Sequence, residues 1–190
     1  MKRFLCILYF LVLPGLFVPP SFSQEENLSL IAEGKYFSIY SCKNLDINEL
    51  LSKLNFDYFL HFDSLSKNPD APKNILTQTL DSLYLEVSDI LDIHIYSYHG
   101  NIKILPDKNG VNSAFKKYFG RDFPQRSFYF HQKNTIYISF PDLTLGMLGH
   151  EISHAIISHY FVVFPPAKMQ EILCGYVEYS LRKSTGALPK

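Results

Sequence analysis

Apolar residues recur at helical spacing in the longer stretches of this chain and alternate with polar ones in several short stretches, a pattern that predicts helices interleaved with strands. Leu50, Leu51, Leu54 and Tyr58 share one face after Asp46, which with Glu49 resembles a capping box and opens a first helix. A polar, Pro-containing connection at residues 66–73 leads to a second helix over 74–91. Its inner face is Ile75, Leu76, Leu80, Leu83, Val87, Ile90 and Leu91. Residues 35–41, 93–98 and 101–105 have the pattern of strands, the last two arranged around Gly100, and residues 111–119 that of a short helix. Residues 128–130 and 135–140 form a predicted hairpin that turns through 131–134. A longer helix follows over 142–160, with Asp142 as its cap and Leu145, Leu148, Ile152, Ala155 and Ile156 as its buried stripe. Pro165 and Pro166 end it and open another helix over about 167–182. The sum is an α+β domain with a small mixed sheet, in which no repeat or low-complexity tract occurs.

The N-terminus changes this picture. Lys2 and Arg3 precede an apolar run at 4–18, and Ser21-Phe22-Ser23 offers small residues where a signal peptidase reads, so residues 1–23 are expected to be a cleaved signal peptide. The run is interrupted by Pro14-Gly15 and falls short of the roughly 20 apolar residues of a spanning helix. The expected compartment is periplasmic or secreted. Cleavage leaves 16 Lys and Arg against 18 Asp and Glu, a net charge of about −2, and no basic stripe stands out. This argues against nucleic acid or an anionic membrane surface as a partner. Sixteen Phe and thirteen Tyr with no Trp suggest an aromatic core. Cys42 and Cys174 survive cleavage in a compartment that permits a disulfide, and no Cys-x-x-Cys points to a thiolate metal site.

The candidate chemistry lies on the helix over 142–160. His150-Glu151-Ile152-Ser153-His154 spells His-Glu-x-x-His inside an apolar run. Positions four apart on a helix are only about 40° out of line and roughly 6 Å apart along the axis, so both imidazoles can reach one ion. A zinc ion with three protein ligands keeps a position for water, and Glu151 stands beside the pair as a base for that water. The bland alternative is a buried helix with hydrogen-bonded histidines. Glu171 on the next helix is the candidate third ligand, with Cys174 and Glu178 as alternatives; Glu178 better suits a surface or supporting carboxylate. His159 is turned about 140° from His154 and is not expected to bind metal. His94, His99 and His131 fall in or near turns and are expected to be solvated.

The stretch from Leu148 to Ala155, followed by Gln170 to Tyr179, resembles the gluzincin metallopeptidases. It is most similar to the peptidase-MA-like group, related to the thermolysin and aminopeptidase N families. Residues 34–40 and 134–139 are similar to that family's first strand and to the strand before its metal helix. The resemblance implies a zincin-like domain over 24–190, one zinc ion held by His150, His154 and Glu171, Glu151 as general base, and hydrolysis of peptide or protein substrates. It also implies an edge strand that pairs with extended substrate, for which residues 135–139 are the candidate, against the alternative of an interior strand. Three features depart from the family. Gly175 stands where thermolysin-like members place an acidic residue to orient the first histidine, so His150 requires another partner. Ile172 replaces a customary glycine, and the aminopeptidase Gly-x-Met-x-Asn loop does not occur. Tyr160, Tyr176 and Tyr179 fall where a second oxyanion donor is expected, though each also suits a structural role. With only residues 172–190 after Glu171, the cleft is expected to be shallow or completed by a partner. A zinc-binding or interaction module without turnover, and an exported interaction protein without metal, are the competing classes.

Overall fold

The computed structural model describes residues 27–54, 71–122 and 124–187. Within them β1 (Ser29–Glu33) and β2 (Phe37–Ser41) pair antiparallel. The turn between them is held from outside, because the Asp81 carboxylate accepts the backbone N–H groups of Lys35 and Tyr36 at 2.9 Å each. These two residues, expected to begin the strand, therefore belong to the turn. α1 (Ile47–Lys53) opens at Asp46, whose side chain accepts the Asn48 N–H at 2.8 Å. Tyr58, residues 1–23 and most of the 66–73 connection lie outside the described residues.

α2 (Ala71–Leu91) buries Leu76, Leu80, Leu83 and Val87, the stripe its spacing predicts. It ends at Asp92, which adopts φ 54°, a left-handed conformation that a short polar side chain tolerates. Residues 93–98 are not a strand, contrary to their pattern. β3 (Gly100–Leu105) pairs in parallel with β2 on one side and with β5 (Thr135–Ser139) on the other, so no ladder position beside it is open. Ile93 and Tyr98 instead fill the core as single anchors.

α3 (Lys108–Phe119) runs from Asp107, which accepts the Gly110 N–H at 2.9 Å, to Gly120 at φ 68°. β4 (Ser127–Phe130) and β5 form the predicted hairpin through the 3-10 turn His131–Lys133 and Asn134 at φ 45°. The sheet order is β1-β2-β3-β5-β4. The candidate docking strand 135–139 is therefore interior and β4 is the edge. All five residues of β5 are buried, and a strand so apolar is stable only when covered on both faces and both sides.

α4 (Leu145–Tyr160) and α5 (Ala167–Ser184) complete the fold. Ile136 and Ile138 face the larger core with α1, α2, α4 and α5, while Tyr137 faces a smaller one built on α3 with Phe128 and Phe130. Helices thus cover both faces of a mixed sheet, an α+β arrangement. Cys42 and Cys174 are both free thiols.

Two features of this core can be measured. A side chain at Gly149 would overlap Leu181 and touch Val177 of α5, so the glycine sets how closely α4 and α5 approach. Gly149→Val is expected to lower unfolding free energy by about 1–3 kcal/mol through overpacking, read as a shift in the urea midpoint. Tyr84 stacks between Tyr36 at 4.1 Å and Tyr98 at 5.2 Å, and burial holds the phenols of Tyr84 and Tyr98 protonated well above the ordinary tyrosine range. The native state then binds more protons than the unfolded chain above pH ~10, so their contribution is complete below that pH and is lost as pH rises further. Chemical denaturation along an alkaline series should show stability falling from pH ~10 upward, and a flat profile there would refute the argument.

Candidate metal centre

The position of α4 is set by its buried stripe. Leu145, Leu148, Ile152, Ala155 and Ile156 pack on the sheet, which fixes the helix rotation and leaves His150 and His154 at the edge of the core. The helix starts three residues later than predicted. Thr144, not Asp142, is its cap, accepting the Met147 N–H at 3.2 Å. Asp142 is engaged before the helix begins, accepting the Ser139 hydroxyl at 2.8 Å and pairing with Arg126 at 3.4 Å.

The rotation of α5 is set in the same way. Cys174, Val177 and Leu181 are fully buried, and this turns Glu171 and Glu178 toward α4. Glu171 Oε1 lies 3.4 Å from His154 Nε2 and its Oε2 lies 3.5 Å from His150 Nε2. Glu178 Oε2 is 3.5 Å from the other nitrogen of His150, Nδ1, which is buried and makes no aligned hydrogen bond. Glu178 thereby reaches the nitrogen that Gly175 cannot serve. Seven residues beyond Glu171 a helix has completed almost two turns, so this carboxylate stands on nearly the face that a residue four beyond would occupy.

His150, His154 and Glu171 offer two imidazole nitrogens and a carboxylate, donor types that zinc takes. Glu171 turns a different oxygen to each imidazole, so its carboxylate spans the pair, and each contact is of the order of the roughly 3.3–3.4 Å between ligand atoms around a zinc with bonds of about 2.0–2.1 Å. Cys174 fits less well. Its sulfur lies within 4.8 Å of a nitrogen of each histidine, close enough to be a candidate donor, yet it must lose its proton to ligate. Burial, with Glu171 and Glu151 nearby, pushes its thiol well above the ordinary range. His154 is shifted the other way, because burial and His150 favour the neutral imidazole against the opposing pull of Glu171 and a hydrogen bond with Gln170. A neutral imidazole is the form that ligates metal.

Glu151 is buried behind the pair. Ser127 of β4 donates to its Oε1 at 2.7 Å. Burial, reinforced by Glu171 and Glu178 and opposed by Ser127 and the Tyr129 backbone, raises its carboxyl to about 7. A cleft of about 720 Å³ opens over these groups, walled by Gln125, Tyr129 and His131 on one side and by Met147, Phe164 and Gln170 on the other.

Sequence reasoning did not find Ser127 or Gln170. Ser127 is remote along the chain, although Gln170 directly precedes the candidate ligand. The three tyrosines considered as oxyanion donors do not line the cleft; Tyr160, Tyr176 and Tyr179 point outward instead. His159 bonds back to the Ala155 carbonyl, away from the pair. His94 and His131 are exposed, and His99 is exposed yet bonded to Ser38 and the Lys35 carbonyl. Compared with known proteins, the chain matches no family model, no curated protein and no solved structure.

The proximity of Glu178 to His150 gives a direct test. Glu178→Ala should weaken zinc binding by about 10–100-fold in a chelator competition while leaving the melting profile of the apoprotein unchanged. An unaltered affinity would show that the contact is incidental.

Proposed function

We propose that this chain is an exported zinc-dependent peptidase in which His150, His154 and Glu171 hold one ion and Glu151 is the general base. The observation that carries this reading is the meeting of both Nε2 atoms with the two Glu171 oxygens at 3.4–3.5 Å, beside a buried carboxylate. When bound, zinc supplies Lewis-acid polarisation of a carbonyl and of a water molecule. The protein supplies the rest. Glu151 takes the proton of the attacking water and returns it to the leaving amine, held by Ser127 so that its carboxylate does not swing away. Glu178 and Gln170 hold the ring orientations of His150 and His154. β4 offers an open ladder edge along the cleft, which suits an extended peptide chain.

Two measurements test this together. The purified mature chain should carry one equivalent of zinc, lost in His150→Ala and in Glu171→Ala and retained in Cys174→Ala. Glu151→Gln should keep the zinc and cut hydrolysis of a mixed peptide library by about 10²–10⁴-fold. Zinc without hydrolysis of any peptide would replace the reading with a zinc-binding module, and absence of zinc from fresh protein would remove both.

A further inference from the structure

The turn joining α4 to α5 carries apolar side chains on its outside. Phe161, Val162, Val163 and Phe164 follow Tyr160, and Val162 and Val163 are 101% and 82% exposed. Along α5, Met169, Ile172, Tyr176 and Tyr179 recur at spacings of three and four residues, on the side away from Cys174, Val177 and Leu181. Nine of the thirteen exposed large hydrophobic side chains among the described residues therefore belong to this one hairpin. The other four, Leu30, Leu85, Tyr96 and Phe119, are dispersed over separate elements, as ordinary surface apolar residues are.

The exposure is built into a rigid base. The Phe161 N–H bonds to the Ile157 carbonyl at 3.1 Å, the Met169 and Gln170 N–H groups bond to the Pro166 carbonyl, and the Gln170 amide donates to the Pro165 carbonyl at 2.8 Å. Pro165 and Pro166 fix the backbone between them.

We propose that this hairpin is a finger that docks the protein on a lipid bilayer, placing residues 161–164 below the headgroups and Tyr160, Tyr176 and Tyr179 at their level. The layering of the side chains supports it. The tip is wholly aliphatic and aromatic, and behind it stand tyrosines, which combine an apolar ring with a polar end and favour the boundary between acyl chains and water. Charge supports it as well. No Asp or Glu occurs from Ile152 through Gln170, Lys168 and Lys183 lie on the exposed side of α5, and Glu171 and Glu178 are turned toward the α4 histidines. The rim is therefore neutral to basic, which suits zwitterionic and anionic headgroups alike. A second copy of the chain suits the finger less well. The tip is convex, and the cavity beside Lys103 and Lys133, away from the cleft, mixes aromatic rings with two lysines and Asn101, whose desolvation would oppose entry of an aliphatic tip. The near-neutral charge of the mature chain argues against a membrane partner held by charge, and no membrane contact is expected from the sequence after signal cleavage; here apolar insertion drives the contact. Phe164 also lines the cleft, so docking would hold the cleft mouth at the membrane surface.

The absence of Trp makes the test direct. In the mature chain carrying Val163→Trp, vesicles of phosphatidylcholine, alone or mixed with phosphatidylglycerol, should shift the indole emission to shorter wavelength, and brominated acyl chains should quench it. The unsubstituted chain should co-sediment with both vesicle types, and the double substitution Val162→Asp with Val163→Asp should lower the partition coefficient at least about tenfold with melting temperature and zinc content unchanged. Three results would overturn the proposal. One is an emission that ignores vesicles, and another is binding confined to the anionic vesicles that survives the double substitution. The third is a concentration-dependent dimer that the double substitution dissolves. None of these readouts depends on hydrolysis, so the peptidase reading can fail without deciding this one.

Discussion

The contact of α4 with α5 at Gly149, where Leu181 occupies the space a side chain would take, sets the geometry of the whole site. Because the helices approach that closely, the three buried residues of α5 and the stripe of α4 share one core, and the rotation of each helix follows from what it buries. Five polar groups are then delivered to one place without any choice left to them. Glu171 meets both imidazoles, Glu178 meets the far nitrogen of His150, and Glu151 is carried behind the pair. The polar site is a by-product of apolar packing, and its precision is the precision of that packing.

The same packing gathers charge that has no internal balance. Three carboxylates stand around two imidazoles, and burial favours the neutral form of His154 and raises the Glu151 carboxyl to about 7. Arg182 offsets part of this through Glu178, at 3.6 Å, while Arg126, which also lines the cleft, is paired with Asp142 at 3.4 Å. A divalent cation at the imidazole edges would satisfy Glu171 and both rings at once and would lower the cost of keeping Glu151 ionised.

How much of this could be read from the chain depended on how local each signal was. The helical stripes of α2 and α4, the Asp46 cap, the β4–β5 hairpin and the pairing of Glu171 with the histidines all rest on short spacings, and short spacings survive folding. The errors came where a distant partner decides. Lys35 and Tyr36 have a strand pattern, yet Asp81 on α2 bends them into a turn. Residues 93–98 have the right alternation, yet both sides of β3 are taken by strands that the local pattern cannot announce. β1 gave no signal because four of its five residues are exposed or half-exposed at a sheet edge, and β5, whose pattern left edge and interior both open, is interior because β3 and β4 pair on its two sides. Ser127 belongs to the same class, since nothing near it in sequence hints at a buried carboxylate.

The hydrogen bond from Ser127 to Glu151 crosses 24 residues, whereas every candidate ligand falls within a single helical hairpin. The gathering of the candidate ligands and the immobilisation of Glu151 therefore draw on different elements, α5 for the first and β4 for the second. Loosening the sheet margin would release Glu151 and leave His150, His154 and Glu171 together, so the two halves of the cluster are open to separate adjustment during divergence of the sequence.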